Sequence, residues 1–416
     1  MDLTIGGDQS TKEARRKILS GTRRRRFYGF EAKALCAAAR GRTGLADFGD
    51  PPLEPALSTL LNSLEEEANL HRLGRFLIHT HLLDILETRL RLTRAWRGCL
   101  ETLATSRIER PIFITGIPRS GSTFLCELLA QDSDNRSPRV WEVMFPLPAP
   151  GLRHSLHDSR RLRAAARLWW FRRLAPHVDE VYPIRACSPH ECVAIHSHTF
   201  LSEEFVSTCR VPSYEAFLRA TDLGPAYVWE KRFLQHLQLH RPTKRLVLKS
   251  PDHVYGLEQL FSVFPNALII QTHRDPLAVL RSDVQLTRVL QSLYARPDDL
   301  NELRTKATRT LAGMQERCRQ FRDRHPELAD HFVDLDYSDL VSDPVTALRR
   351  IYWQFEIPLT QTTIERVRQL ALSRARYPRH QNLSLTDLGG STRRESGRAV
   401  ASIKNDGDVI SLLESE

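Results

Sequence analysis

The chain has 416 residues, of which 41% are hydrophobic and 26% charged, and its formal net charge is +10. That length and balance support a sizeable core and exclude a disordered or disulfide-stapled miniprotein. The positive charge suits an anionic ligand, a membrane surface or nucleic acid, without choosing among them.

Seven cysteines are scattered through the chain with no C-x-x-C pair, so neither a disulfide framework nor a zinc ribbon is expected. A reducing compartment is the default. The N-terminus has no apolar leader pattern and no run of about 18 apolar residues occurs. A cytoplasmic protein without a transmembrane helix is therefore expected.

Residues 1–30 read as a weakly ordered basic N-terminus. The run Arg23–Arg26 is better explained as a solvated face than as a targeting patch. Residues 31–105 read as a helical N-terminal region, with Leu70, Leu73, Leu77, Leu82, Ile85, Leu86 and Leu90 near helical spacing. Asp50-Pro51-Pro52 breaks it into separate helices.

Residues 106–375 read as an α/β domain. Ile112–Ile114 is a short apolar run typical of a buried parallel strand, and Phe124, Leu125, Leu128 and Leu129 mark a helix face. Arg139–Val143 follows as a second strand or extended loop. Residues 151–240 read as a helical insertion on the acceptor side, rich in Arg, His and aromatic residues. Trp169, Trp170 and Phe171 stand beside Arg172 and Arg173. Periodicity favours an aromatic face turned into the core, over a cluster that covers an apolar substrate or touches lipid.

Arg245–Lys249 is the next strand, and Ser250-Pro251-Asp252 a helix start. Ala267–Gln271 is another strand, followed by a helix with Leu277, Leu280 and Val284 on one side. Leu303, Ala307, Leu311, Met314, Cys318 and Phe321 recur at helical spacing in one long amphipathic helix. His331–Leu335 is a further strand, and Asp343-Pro344 starts another helix. Residues 376–416 form a loop and flexible tail. Alternating strands and helices at this spacing predict a three-layer α/β fold, with a P-loop-like parallel sheet flanked by helices.

Two loops carry chemistry. In Gly116-Ile117-Pro118-Arg119-Ser120-Gly121-Ser122-Thr123 a strand passes through a Gly- and hydroxyl-rich loop into a helix. Backbone N–H groups and a helix N-terminus then face one point, a cradle for phosphate. The spacing is that of a P-loop except that Ser122 stands where the Lys belongs. Without that Lys the reach to β/γ-phosphates is lost, and Arg119 is the cation that remains. The second loop is Thr272-His273-Arg274-Asp275-Pro276, with Arg281 and Ser282 in the helix that follows. Both loops fall at strand C-termini, where open parallel sheets bind ligands. Arg can grip phosphate with its fork, so two anion sites suit a nucleotide with phosphates at two positions. For Arg274-Asp275 alone, a helix-start ion pair is an equal reading.

With these residues in place, the sequence resembles the sulfotransferases that use 3′-phosphoadenosine 5′-phosphosulfate (PAPS), in the bacterial-type branch related to tyrosylprotein sulfotransferases. Residues 114–125 match that family's 5′-phosphosulfate loop and residues 271–282 its 3′-phosphate motif, with Lys249-Ser250-Pro251 between them. The resemblance covers roughly residues 111–355 and implies sulfuryl transfer to an acceptor hydroxyl. It implies that Arg119, Ser120, Gly121, Ser122 and Thr123 hold the 5′-phosphosulfate and that Arg274 and Ser282 hold the 3′-phosphate. Lys249 would stabilise the leaving phosphate, and Glu142 would be the general base, with His253 as runner-up. A Glu142 that merely pairs with an arginine such as Arg139 is the structural alternative. No metal is required by this chemistry. The stretch His380–Gly389 departs from the family's pattern, with Leu383 and Leu388 in place of aromatic residues, which puts a C-terminal lid contact in doubt.

The acceptor expected is a bulky, partly apolar small molecule or lipid. Contact with a membrane surface is compatible with the charge, and no nucleic-acid partner is expected. Cys187, His190, Cys192, His196 and His198 lie close together but match no zinc template. The rivals are an Mg-ATP-dependent small-molecule kinase with a degenerate P-loop and a non-catalytic nucleotide-binding protein.

Overall fold

The computed structural model describes residues 28–147, 158–174, 178–240 and 242–375. Arg23–Arg26 and the His380–Gly389 stretch lie outside the described residues.

Five parallel strands form one sheet in the order β2-β3-β1-β4-β5. They are β1 (Ile112–Gly116), β2 (Asn135–Arg136), β3 (Arg245–Lys249), β4 (Leu268–His273) and β5 (Phe332–Asp336). All five residues of β1 are buried, as a central strand covered on both faces must be. Alternation divides the side chains between two cores. Phe113, Leu246, Leu248 and Ile269 pack on one face with Leu260, Phe261 and Phe321. Ile112, Ile114, Val247 and Ile270 pack on the other with Leu125, Leu128, Leu348 and Ile351. This is the three-layer arrangement the apolar runs predict.

The helical N-terminal region contains α1 (Ala32–Thr43), α2 (Ala56–Glu66) and α3 (Arg72–Arg97). Leu57, Leu60, Leu64, Leu82, Leu86 and Leu90 form a core with Phe200, Phe205 and Tyr214. The region therefore packs mainly on the segment 200–226. Arg89, fully buried in α3, fastens the joint. Its guanidinium donates to the carbonyls of Phe48 (2.8 Å), Gly49 (3.0 Å), Pro51 and His198 (2.7 Å). It also lies 4.8 Å from the centroid of the Trp229 ring. Burial pulls its pKa down to about 10, against the attraction of Asp50 and Asp47. No carboxylate is bonded to it; carbonyl dipoles do the solvating.

The helices that position the site are α4 (Ser122–Leu129), α5 (Val140–Met144), α6 (Ser159–Leu174), α7 (Gly224–His240) and α8 (Pro276–Tyr294). The strand expected over Arg139–Val143 is not formed. Those residues make α5, and the second strand is the two-residue edge piece Asn135–Arg136. The reason is Glu142. At the third position of the helix its carboxylate reaches back to the Arg139 N–H (3.0 Å) and caps the first turn. Trp169 and Trp170 of α6 also depart from expectation. They are 52% and 63% exposed, while Leu168 is buried and Phe171 packs inward on the cluster of Val178 and Leu293.

Arg89→Met would strand several buried carbonyls. It is expected to lower the unfolding free energy by about 3 kcal/mol in urea titrations. An unchanged midpoint would show that the joint carries no load.

Candidate active site

The β1 loop needs two residues without side chains. Gly116 has φ +121°, and a Cβ there would come within 2.5 Å of the Thr272 carbonyl oxygen on β4. Gly121, at φ +93°, would place a Cβ 2.7 Å from the Tyr337 ring. Arg119 itself adopts φ +62°. The turn is thus wedged between β4 and the start of the helix after β5, which holds its peptide N–H groups at the α4 N-terminus.

The second loop is bonded directly to the first. Ser120 Oγ meets Thr272 Oγ1 at 2.6 Å, and Thr272 Oγ1 donates to the Thr115 carbonyl at 3.1 Å. Arg274 donates to the Arg119 carbonyl at 2.8 Å and rests over the Tyr337 ring at 4.2 Å. Arg119 Nε donates to Ser282 Oγ at 2.9 Å, joining the loop to α8. Burial depresses the Arg119 pKa and Arg274 adds to the effect, while Asp283 opposes it. Two guanidinium groups held this close to each other, at a helix N-terminus, form a site with high demand for an anion.

Lys249, at the end of β3, is buried and donates to Thr123 Oγ1 at 3.2 Å. Its ion-pair partner is Glu191. Tyr182 OH donates to the same Glu191 oxygen at 3.1 Å. Burial alone would raise the Glu191 pKa. The Lys249 charge and hydrogen bond, with help from His190 and Tyr182, outweigh it and hold the carboxyl below its ordinary value.

Glu142 is placed differently from the expected base. One carboxylate oxygen pairs with Arg136 at 2.6 Å and the other caps α5. The partner is an arginine, as in the alternative structural reading, though Arg136 rather than Arg139. His253 is buried with Nδ1 3.0 Å from Tyr227 OH and its ring edge-on to Phe113, and desolvation pulls its pKa down to about 4.

Hydrogen bonds join Arg119 with Arg274 and Ser282, Ser120 with Thr272, and Lys249 with Thr123, while Gly121 and the buried Ser122 form the start of α4. Sequence reasoning missed Glu191, Thr272, Tyr337 and Tyr182. Glu191 lay inside the Cys/His run that was weighed only for metal, and its position two residues after a proline carried no spacing signal. Of that run, Cys192 gathers with Glu230 and His253, their ligand atoms within 4.8 Å of one another. Cys187 is exposed beside Arg161, and His198 packs on Trp229.

The sulfotransferase family model matches residues 111–361, which span the sheet and both loops. The chain belongs to the sulfotransferase family. It is 27% identical over 291 residues to the omega-hydroxy-beta-dihydromenaquinone-9 sulfotransferase Stf3 of Mycobacterium bovis, covering 65% of this chain and 68% of that one. The crystal structure of sulfotransferase STF1 from Mycobacterium tuberculosis superposes with a TM-score of 0.76 at 28% identity, covering 89% of this chain and 98% of the other. STF9 from Mycobacterium avium gives 0.75 at 27% identity, with 88% and 95% covered.

The protein is thus an enzyme of the sulfotransferase class, a family that in general draws its sulfuryl group from PAPS. Among the described residues, no helix is long and apolar enough to cross a membrane. Beside Lys249–His253 the sulfotransferase has a cavity whose walls include Leu201, Leu218, Leu223 and Tyr227, with Ser250 and Asp252 at its polar side. Burial raises the Asp252 pKa, and the Glu203 and Glu191 carboxylates raise it further.

The depressed Glu191 pKa has a consequence for stability. Its ionised form stabilises the fold above the ordinary value of about 4.3, and that contribution is lost as pH falls through the folded-state value. Thermal melts of Glu191→Gln should lie below those of the native enzyme at neutral pH. The gap should close as the pH drops below about 4. A pH-independent gap would mean that the ion pair does not set it.

Proposed function

We propose that this sulfotransferase moves the sulfuryl group of PAPS onto the hydroxyl of a bulky, partly apolar acceptor of lipid character. The observation that carries the reading is the joined pair of loops. Arg119 and the α4 N-terminus offer one anion site, Arg274 with Ser282 a second, and Lys249 meets the first through Thr123. A donor with a 5′-phosphosulfate and a 3′-phosphate has two anions to place in them. An ATP site would need a Lys where Ser122 stands.

When bound, the donor supplies an electrophilic sulfur and a phosphate leaving group. The residues of this chain do the remaining work. Lys249 and Arg119 offer positive charge where the leaving oxygen gains negative charge. Thr123 orients the Lys249 ammonium through its hydroxyl. Glu191 takes the acceptor proton as general base, and Tyr182 holds its carboxylate in place. Support for Glu191 over Glu142 is that it shares Lys249 with the phosphate loop, whereas both oxygens of Glu142 are committed to Arg136 and the α5 cap. Pairing with Lys249 holds the Glu191 carboxyl below its ordinary pKa.

The acceptor class rests on the menaquinone-derived alcohol named for the mycobacterial relative. Ser250 and Asp252, at the polar side of the cavity, suit a hydroxylated end.

Three measurements test the reading. The product 3′-phosphoadenosine 5′-phosphate (PAP) should raise Tm, and Mg-ATP should do so far less. Arg119→Ala and Arg274→Ala should each weaken PAP binding by at least about tenfold. Glu191→Gln should keep the PAP shift yet lower kcat by a factor of about 10²–10⁴ for transfer from PAPS to a long-chain primary alcohol. Glu142→Gln should retain substantial turnover. Full activity in Glu191→Gln, or its loss in Glu142→Gln with the fold intact, would return the base to Glu142. No PAP shift at millimolar concentration would refute the donor.

A further inference from the structure

Helix α6 is built backwards for a helix on a globular surface. Its inward face is set by Arg160, Ala164, Leu168 and Phe171. The face opposite carries Leu162, Trp169 and Trp170, which are 76%, 52% and 63% exposed, with Leu174 at its end. An exposed Trp pair is costly in water unless something else covers it. The helix has six arginines and no acidic residue. Arg163 lies over Phe145 and Arg173 lies near the Trp169 ring, so the exposed cations flank the exposed rings.

A second apolar patch adjoins it. On α3, Leu77 packs against the same Val178–Leu293 cluster as Phe171, and Asp84 pairs with Arg167. Leu73 lies one turn before Leu77 on the same stripe and is 43% exposed. Phe76, 40% exposed, stacks edge-on with Tyr28. Leu73, Phe76 and Tyr28 thus extend the apolar surface of α6 sideways.

We infer that the outer face of α6, with the Leu73–Phe76 edge of α3, docks on an anionic lipid bilayer. Tryptophans with apolar neighbours and flanking arginines are the chemistry of the bilayer interface, where rings sit at headgroup level and guanidinium groups meet phosphate. A purely apolar partner would leave the arginines unmatched. The surface is tied to the active site. Arg160 of α6 donates to the Phe145 carbonyl (3.3 Å) and the Pro146 carbonyl (3.2 Å) and packs over Trp141 of α5. The α5 residues Val140 and Trp141 in turn bond the carbonyls of Ser188 and Ala186, just before Glu191. Docking through α6 therefore sets the acceptor side of the enzyme against the membrane. The inference rests on the lipid-like acceptor proposed above and names where that acceptor is met.

Co-flotation of the full chain with vesicles tests it. Vesicles of phosphatidylcholine with roughly a third phosphatidylglycerol should carry the enzyme, phosphatidylcholine vesicles should not, and added salt should weaken the binding. Trp169→Ser/Trp170→Ser and Arg163→Glu/Arg173→Glu should each cut vesicle affinity by at least about tenfold. Both should keep the native PAP-induced rise in Tm and native kcat on a soluble short-chain alcohol. Those two readouts separate a failed docking surface from a failed donor or acceptor assignment. No binding by the native chain, or equal binding by both variants, overturns the inference. Concentration-dependent self-association that the tryptophan variant abolishes, without vesicle binding, would assign the face to a second copy of the chain and overturn it equally.

Discussion

The active site depends on two arginines that are held together without being neutralised by each other. Arg119 and Arg274 belong to loops that follow neighbouring strands, and like charges at such distance repel. The fold offsets this with dipoles. Arg274 spends a donor on the Arg119 carbonyl and faces the Tyr337 ring, and Arg119 spends one on Ser282. Carbonyl and ring contacts hold the Arg274 guanidinium in position without cancelling its charge. A carboxylate in their place would have fixed the geometry equally well and cancelled its field. Asp283, the nearby acid, has its pKa pushed up to about 6 by burial despite Arg119, which limits its power to quench the site.

The acceptor side is arranged by the opposite rule. There Lys249 and Glu191 form a direct ion pair, with a Thr hydroxyl on the cation and a Tyr hydroxyl on the anion. A buried pair of this kind stabilises little in net terms, because desolvation consumes most of the attraction. What it does is hold the Glu191 carboxylate beside the phosphate loop, with its pKa below the ordinary value.

The sheet and its two loops were legible because each is a local pattern. Ile112–Gly116 and Arg245–Lys249 are apolar runs too short for helices, and the glycines at 116 and 121 announce a turn. Arg119 and Arg274 could be named because strand C-termini converge in a parallel sheet, and Lys249 and Ser282 through the family resemblance. Glu191 could not. It enters the site through the backbone bond from Cys192 to the Lys249 carbonyl, a contact across 57 residues that no periodicity encodes. For Glu142 the sequence pattern could not show the contacts the fold gives it, the reach back to the Arg139 N–H and the pairing with Arg136. Trp169 and Trp170 misled for a related reason. Helical periodicity tells which residues share a face, and only the tertiary packing of Arg160 and Leu168 tells which face is inward.

The lysine missing from the first loop is supplied from a different direction. In a P-loop the cation rises from the loop itself and lies along the phosphate chain. Here Ser122 is buried, and Lys249 arrives from the neighbouring strand to meet Thr123. A cation so placed is at the flank of the cradle, on the side of Glu191 and the cavity. It can serve one phosphate and the atom leaving it, but not a chain of phosphates extending past the helix. With Ser122 in the loop and the lysine on β3, the cation meets the cradle from its flank rather than along a chain of phosphates.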